Sequence, residues 1–297
     1  MDLQFSTACL PRLPLRASFA TARSLGLTGV ELALTPTLQR RGPARVAALA
    51  ARSGVRVRSI DLSLYARALE LREVAAISAF VAALPECAVV VLAAPRAVGG
   101  TGGLGGYLEL LRAYGERLQG RAVVTIANAA DGAPGTPGPL GRFSQVRRVV
   151  EEWDLGYTFD TSHAASAGWV ITEPLPQMGA RLRNVHLGDF RRQLRPDSPS
   201  STLLLPERVA PWQLHRAPGE GVLPLRAFLR ALRQREYTGL VTLKLHEVGP
   251  RAWWPPALHG QLASAVLFYR AALDAYRPRH TDRPLGAIEL ENDRRRP

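Results

Sequence analysis

The sequence predicts an α/β protein built as a single closed (β/α)8 barrel, and three observations carry that prediction. Short β-branched runs alternate with longer helical stretches, which is typical of a parallel sheet. Eight such strand–helix units fit into 297 residues, and a barrel of this kind usually needs about 250. The predicted strands also lack a clean polar alternation, as expected when both faces of a sheet are covered.

Each strand is predicted from a short apolar run, such as the Cys-Ala-Val-Val-Val-Leu-Ala of Cys87–Ala93. Cys9 and Cys87 fall inside predicted strands, so both are expected to be buried thiols rather than parts of a disulfide framework. In chain order the predicted strands are Leu3–Leu10, Gly29–Leu34, Val55–Leu62, Cys87–Ala93, Ala122–Ala127, Tyr157–Asp160, Leu182–Leu187 and Leu240–Leu245.

Helices are predicted between these strands, and Gly26 and Gly54 are expected to end the first two. The predicted helices are Leu15–Leu25, Ala44–Ser53, Ala66–Leu84, Leu108–Leu118, Phe143–Trp153, Pro174–Ala180, Leu223–Arg233 and Leu258–Tyr276. Glycine-rich loops are expected up to Gly106 and over Gly132–Gly141. The segment Phe190–Trp212 has few helical signals, and its length predicts a lid or a binding loop.

The domain organisation is one barrel over residues 1–277, followed by a loosely ordered, charged tail over residues 278–297. No apolar run reaches the roughly 18 residues of a membrane span, and no basic start is followed by an apolar stretch as in a signal peptide. These features predict a cytoplasmic protein with no membrane partner. They leave the formation of a homo-oligomer open.

The net charge of +13, with a pI near 10.9, favours anionic ligands such as phosphorylated sugars or nucleic acid. The charge is spread along the chain, however, and no stretch interleaves basic with aromatic residues as a single-strand binder would. The charge alone therefore does not indicate nucleic-acid binding.

Lys244 is the only lysine among 38 lysine and arginine residues, and it lies near the end of the eighth predicted strand. Arginine does not replace lysine where a compact, titratable charge is needed, so a retained lysine suggests such a need. The alternative is an exposed cation at a strand end.

Polar side chains follow the ends of the last predicted strands, and the C-terminal ends of barrel strands meet at one rim. Histidine and aspartate at such positions are ligands of Zn²⁺ or Mn²⁺, although a lone histidine is more often structural. The residues concerned are Asp160, His163, His186, Asp189, His215, Lys244, His246 and Glu247.

These segments resemble the xylose-isomerase-like TIM-barrel superfamily, which holds sugar and sugar-phosphate isomerases and epimerases, inosose dehydratases and endonucleases of the endonuclease IV type. The resemblance runs from about Leu3 to Tyr276. Its most specific parts are Leu155–Ala164, Arg181–Asp189, and His215 with Pro218–Gly221; the segments around Glu31 and Lys244 give weaker support.

The resemblance implies a divalent-metal site made by Glu, Asp, His and Glu from strands five to eight. Asp160 and His186 match two of these ligands, but Ala127 and Lys244 stand where the two glutamates belong. It therefore implies a degenerate metal site in which the Lys244 ammonium faces Asp160 and takes over the electrostatic role of the metal. A weak Zn²⁺ or Mn²⁺ site formed by Asp160, His163, His186 and His215 remains open.

Which side chain at the end of the eighth strand points into the barrel mouth is also open. If Glu247 pointed inward instead of Lys244, part of the metal-ligand set would be restored. Residues three apart on a strand point to opposite faces, so both cannot point inward without a bulge. In the endonuclease branch a third metal uses a His and an Asp-x-His, where this chain has His163, Gln213 and His215.

Three functions follow. The first is a divergent isomerase or epimerase acting on a sugar or sugar-phosphate, with Lys244, His186 and Asp160 as catalytic residues. Lys244 would act as acid and base, with a lowered pKa, or as an oxyanion stabiliser. The substrate would be bound by Asn128, His163, His215, Arg191 and Arg192.

The alternative is a non-catalytic barrel that binds a small ligand or partner. The third function is a DNA-repair nuclease like endonuclease IV.

Overall fold

The protein is a closed barrel of eight parallel strands in sequence order, in which β1 also pairs with β8. The computed structural model describes residues 1–63, 70–95, 103–129, 140–191, 214–245 and 254–275. The strands are β1 Asp2–Ser6, β2 Gly29–Ala33, β3 Arg56–Asp61, β4 Val89–Ala93, β5 Val123–Ala127, β6 Gly156–Asp160, β7 Leu182–Leu187 and β8 Leu240–Leu243. The predicted (β/α)8 TIM barrel is confirmed.

Helices surround the barrel and cover its outer face with apolar side chains such as Phe19 and Phe228, which are fully buried. Within the described residues the α-helices are α1 Leu15–Ser24, α2 Pro36–Arg41, α3 Pro43–Ser53, α4 Val74–Ala83, α5 Gly103–Leu118, α6 Phe143–Glu152, α7 Thr161–Ser166, α8 Leu175–Met178, α9 Leu225–Gln234 and α10 Pro255–Asp274. None of the helices in this part of the chain combines the length and apolarity that a bilayer crossing requires.

The start of the chain departs from the prediction, because β1 ends at Ser6 rather than at Leu10. The Ser6 hydroxyl accepts the Ala8 N–H and starts a 3-10 turn over Thr7–Cys9. Cys9 and Cys87 are buried free thiols as expected, but neither lies in a strand. The Cys9 Sγ donates to the Leu243 carbonyl and accepts the Leu245 N–H, so it joins the end of β8 to the end of β1.

Four other elements also differ from the prediction. In the described part of the helix predicted over Ala66–Leu84, from residue 70 onward, a 3-10 turn at Leu71–Glu73 precedes α4. The glycine-rich loop ends earlier than predicted, because α5 begins at Gly103. The short helices α2 and α7 had no counterpart in the prediction. Residues 64–69, most of the loop predicted at 132–141, nearly all of that at 190–212 and the tail at 278–297 lie outside the described residues.

The barrel interior holds a layer of buried polar side chains below the mouth. The Gln4 amide donates to the Ser59 and Thr242 hydroxyls, both at 2.8 Å, and Thr242 donates to the Asn184 Oδ1 at 2.8 Å. Because buried polar groups are costly unless they are hydrogen-bonded, this layer fixes the relative register of β1, β3, β7 and β8. The layer also lies directly beneath the charged residues of the mouth.

Candidate functional site

Five charged or titratable side chains converge at the C-terminal ends of the strands. Asp160 at the end of β6, His186 in β7 and Lys244 just after β8 were expected there. The structure adds two carboxylates that the sequence reasoning did not place in the site, Glu31 in β2 and Asp61 at the end of β3, both fully buried. A signal for Glu31 existed, since it is the one polar side chain in β2, whose other residues are apolar or glycine, and such a carboxylate is expected to face the barrel interior.

Lys244 points into the mouth. Its Nζ donates to the Asp61 Oδ2 at 2.9 Å and lies 3.3 Å from the His186 Nδ1, with 14% of the side chain exposed. The side chain of Lys244 therefore points inward, as expected. Glu247 lies outside the described residues. The partner differs from the expectation, because the carboxylate in contact with Lys244 is that of Asp61 and not that of Asp160.

The protonation state of Lys244 also differs from the expectation. Burial favours the neutral amine, but Asp61, Asp160 and Glu31 outweigh it and raise the pKa of Lys244 above its ordinary value. Burial also favours the neutral form of Asp61, but the Lys244 ammonium and His186 outweigh this effect and lower the pKa of Asp61 to about 2. The predicted lowered lysine pKa is wrong, and a fixed ammonium can be neither a general base nor a Schiff-base nucleophile near neutral pH.

His186 bridges two carboxylates. Its Nε2 donates to the Glu31 Oε2 at 3.0 Å, and its Nδ1 lies 3.6 Å from the Asp160 Oδ2. Burial disfavours the imidazolium, but the Glu31 carboxylate, the hydrogen bond to Glu31 and the nearby Asp160 carboxylate outweigh both burial and Lys244 and raise the pKa of His186 to about 9. The raised pKa favours the imidazolium at neutral pH, and the Nδ1 lies between the Asp160 Oδ2 and the Lys244 Nζ.

This raised pKa predicts a pH dependence of stability. The pKa of His186 rises from 6.5 to about 9 on folding, so its contribution is complete below pH 6.5 and is lost as the pH rises through 9. We expect the free energy of unfolding to fall by about 3 kcal/mol between pH 6.5 and 9.5. Urea unfolding across this range measures it. The slope should vanish in His186→Gln and persist in His259→Gln; an unchanged slope in His186→Gln would contradict the assignment.

Asp160 forms the N-cap of α7 and presents one oxygen to the mouth. Its Oδ1 accepts the backbone N–H of Ser162 and His163 and the Ser162 hydroxyl, at 3.0–3.1 Å. Asn128 holds the backbone of Asp160 with two hydrogen bonds, of 2.8 and 3.0 Å. The Oδ2 is buried and has no hydrogen-bond partner among the described residues. Burial opposes ionisation, but His163, His215, His186 and Lys244 hold the pKa of Asp160 well below its ordinary value.

His163 and His215 form the second half of the site. Their Nε2 atoms lie 3.1 Å apart, and the other ring nitrogens contact the Asn128 carbonyl and the Ser162 hydroxyl, each at 3.0 Å. An Nε2–Nε2 hydrogen bond needs a proton on one ring and a lone pair on the other. The pair therefore holds a proton that can be exchanged between the rings at the edge of the mouth.

The residues present can be tested against the metal that the family implies. The ligand set of strands five to eight does not fit, since Ala127 packs with Val89, Val91 and Leu240 in an apolar cluster and Lys244 adds a cation. A second set does fit: donor atoms of Asp160, His163 and His215 lie within 4.8 Å of one another, and the Asp160 Oδ2 is unpartnered in the described structure. One carboxylate and two imidazoles suit Zn²⁺.

The loop that carries His215 is pinned by Asp189. The Asp189 Oδ1 accepts the N–H of Phe190 and Leu223, and its Oδ2 accepts those of Gly219 and Gly221, all at 2.8–3.0 Å. His215 itself adopts a left-handed φ of 54°, a conformation that costs about 1 kcal/mol or more and needs support from its surroundings. Asp189 therefore positions His215 through the backbone.

We expect Asp189→Asn to lower the free energy of unfolding by about 2–3 kcal/mol, because the amide would turn an N–H toward two of the four backbone donors. Urea unfolding at pH 7 measures the loss. Asp154→Asn is the matched control, since Asp154 makes an exposed ion pair with Arg181 and its loss should cost less than about 1 kcal/mol. Equal losses in the two variants would contradict the role of Asp189.

Of the two arginines predicted to bind substrate, Arg191 is exposed beyond β7 and Arg192 lies outside the described residues. The structure therefore brings Asp160, His186 and Lys244 together at one centre, with Asn128, His163 and His215 beside them. The contacts of Asn128 are to the backbone of Asp160 and to His163, so it positions the site.

Comparison with known protein families supports the barrel fold. Residues 19–263 match the family model described as xylose isomerase-like TIM barrel. No curated protein sequence matches the chain.

The solved structures that it resembles share the fold at low sequence identity. A xylose isomerase domain protein from Alicyclobacillus acidocaldarius has a TM-score of 0.66 and 18% identity, covering 92% of this chain and 98% of that one. D-psicose 3-epimerase from Clostridium cellulolyticum H10, solved with D-tagatose, has a TM-score of 0.62 and 13% identity, covering 92% and 99%. The IOLI protein, solved with a zinc atom, has a TM-score of 0.67 and 14% identity, covering 93% and 97%.

The family model covers most of the chain, and the strand order and the matched structures agree with it. This chain belongs to the xylose isomerase-like TIM barrel family.

Proposed function

We propose that the protein is an isomerase or epimerase of a sugar or sugar-phosphate in which the Lys244 ammonium replaces the family's divalent ion. The observation that carries the proposal is the position of Lys244, whose Nζ stands between Asp61 and His186 in the mouth of the barrel. Membership of a family with sugar isomerases and epimerases among its structural neighbours supports the substrate class.

The chemistry of such a reaction is removal of a proton from a carbon beside a carbonyl, followed by its return at another face or another carbon. The enediolate formed in between carries negative charge on oxygen. Preorganised cations stabilise such an oxyanion strongly where water is excluded. Lys244 and the imidazolium of His186 are the two cations suited to this role, because the carboxylates beneath them hold both in their charged states.

The acid and base of the proposal are His163 and His215. They lie at the edge of the mouth, share a proton through their Nε2 atoms and stand beside the ionised Asp160, so one ring can accept a substrate proton while the other retains its own. This assignment replaces Lys244 as base. Zn²⁺ bound by Asp160, His163 and His215 would occupy the ring nitrogens that this acid–base role needs, and it would instead supply Lewis-acid polarisation of a substrate oxygen.

The test is solvent exchange at carbon. The protein is incubated in D₂O with ketoses, aldoses and their phosphates, and deuterium incorporation beside the carbonyl is followed by NMR. We expect incorporation that does not need added Mn²⁺ and that falls at least 10²-fold in Lys244→Met and in His163→Gln, a typical acid–base effect. Arg148→Met, at an exposed position on α6, is the control. Exchange that needs Mn²⁺, or that survives Lys244→Met, would contradict the proposal.

The metal content of freshly purified protein completes the test. Inductively coupled plasma mass spectrometry should find no Mn²⁺ held by the protein, and any Zn²⁺ found should disappear in His215→Gln while remaining in Lys244→Met. Near-stoichiometric Mn²⁺ would show that the usual family site works and would overturn the replacement by Lys244.

A binding role is the second candidate, and the Lys244–Asp61 ion pair favours it. Such a pair can stabilise the mouth of the barrel in place of a metal ion without taking part in any reaction. In that case no sugar would exchange its carbon-bound protons. A small polyol or sugar-phosphate would still raise the unfolding temperature of the protein, and Lys244→Met would mainly cost stability.

A further inference from the structure

A groove on the outer, helical surface of the barrel has the character of a docking surface. It lies between α1 and α3, has a volume of about 630 Å³, and has an apolar floor that includes Leu15, Val46 and Leu49. Four arginines line its edges: Arg16, Arg41, Arg45 and Arg52. We call this the arginine groove.

The charge around the arginine groove is of one sign. Between Leu3 and Ile60 the sequence has a single acidic residue, Glu31, which is buried inside the barrel. The same stretch holds the arginines Arg12, Arg16, Arg23, Arg40, Arg41, Arg45, Arg52, Arg56 and Arg58. All four groove arginines are exposed, and no carboxylate among the described residues forms an ion pair with any of them.

The arginine groove also has a helical spacing. Arg45, Ala48, Leu49 and Arg52 lie on one face of α3 at positions i, i+3, i+4 and i+7, so two cations flank an apolar patch about two turns long. A nucleic acid would not use an apolar floor between its phosphate contacts. An amphipathic helix with carboxylates about seven residues apart around leucine-like side chains matches both features.

We propose that the arginine groove binds an acidic amphipathic helix of a protein partner. Leu15 and Val46 are already buried at the bottom of the groove, and the apolar surface open to a partner is that of Ala48 and Leu49 between the arginines. Binding would cover Ala48 and Leu49, and the four guanidinium groups would select carboxylates by paired hydrogen bonds.

The probe is a fluorescein-labelled, lactam-stapled 15-residue helix with Leu at positions 4, 8 and 11 and Glu at positions 3, 7, 10 and 14, measured by fluorescence anisotropy at 0.15 M NaCl. We expect binding to the full chain that is weakened at least tenfold by Arg45→Glu with Arg52→Glu. Arg148→Glu with Arg230→Glu is the matched control, because both residues are exposed, lie on other helices and remove the same charge. The control should bind within twofold of the parent.

The apolar contribution is tested separately. Leu49→Gln, at a partly exposed position, should weaken binding severalfold with no change in charge. Circular dichroism confirms that each variant is folded. Equal weakening by the two double variants would show attraction to net charge only and would overturn the proposal. So would absence of binding at 1 mM protein, or tighter, groove-dependent binding of a 20-base-pair DNA or of phosphatidylglycerol vesicles.

Discussion

Replacing Lys244 with methionine is expected to lower the free energy of unfolding at pH 7 by about 3–5 kcal/mol, although methionine fills a similar volume. The loss comes from Asp61, whose fully buried carboxylate would be left without its ammonium partner at 2.9 Å. Urea unfolding followed by tryptophan fluorescence measures the change. Arg58→Met is the control, since its partly exposed pair with Asp2 should be worth less than about 1 kcal/mol.

A double-mutant cycle separates the ion pair from the rest of the lysine side chain. Removing both charges, in Lys244→Met with Asp61→Asn, should cost less than the sum of the two single losses by on the order of 2 kcal/mol. Additive losses would show that Lys244 and Asp61 contribute independently. In that case the ammonium would not depend on Asp61 for its place in the mouth.

The second large effect is the recovery of a metal site. We expect the double change Ala127→Glu with Lys244→Glu to create tight Mn²⁺ binding, because it restores the two glutamates of the family pattern beside Asp160 and His186. Isothermal titration with MnCl₂ measures it directly. At a free Mn²⁺ concentration of 100 times the Kd, the ion should also stabilise the variant by about 2.7 kcal/mol.

The single substitutions are the controls for this experiment. Ala127→Glu alone places a new carboxylate beside a mouth that still holds the ammonium, and Lys244→Glu alone supplies one new ligand, so each should bind Mn²⁺ at least tenfold more weakly than the pair. A folded double variant that takes up no Mn²⁺ would show that these two positions do not correspond to the glutamates of the family.

The barrel itself could be predicted from local patterns, because buried parallel strands are apolar throughout and their ends are marked by polar residues. β7 was predicted with its exact bounds, Leu182–Leu187. The ends of other elements depended on single hydrogen bonds. Ser6 ends β1 by capping a 3-10 turn, and the Asp160 carboxylate starts α7, a helix that an Asp followed by Thr and Ser does signal.

The site was only half predicted, for a physical reason. Asp160, His163, His186, His215 and Lys244 stand at strand ends, where the rule for barrels directs attention. Glu31 and Asp61 come from the opposite side of the barrel, more than a hundred residues earlier in the chain than Lys244. Only closure of the sheet brings them within hydrogen-bonding distance of His186 and Lys244, where they and Asp160 raise the lysine pKa instead of letting burial lower it.

Cys9 can report on the opening of the barrel at the seam between β1 and β8, the two strands that close the sheet. Its sulfur is hydrogen-bonded to the backbone on both sides of Lys244, and burial raises the pKa of the thiol to about 12. A thiol reagent can reach it only when the seam opens and the thiolate becomes accessible. In a Cys87→Ala background, the rate of Cys9 alkylation would therefore time the opening of the barrel beside the lysine, without any added label.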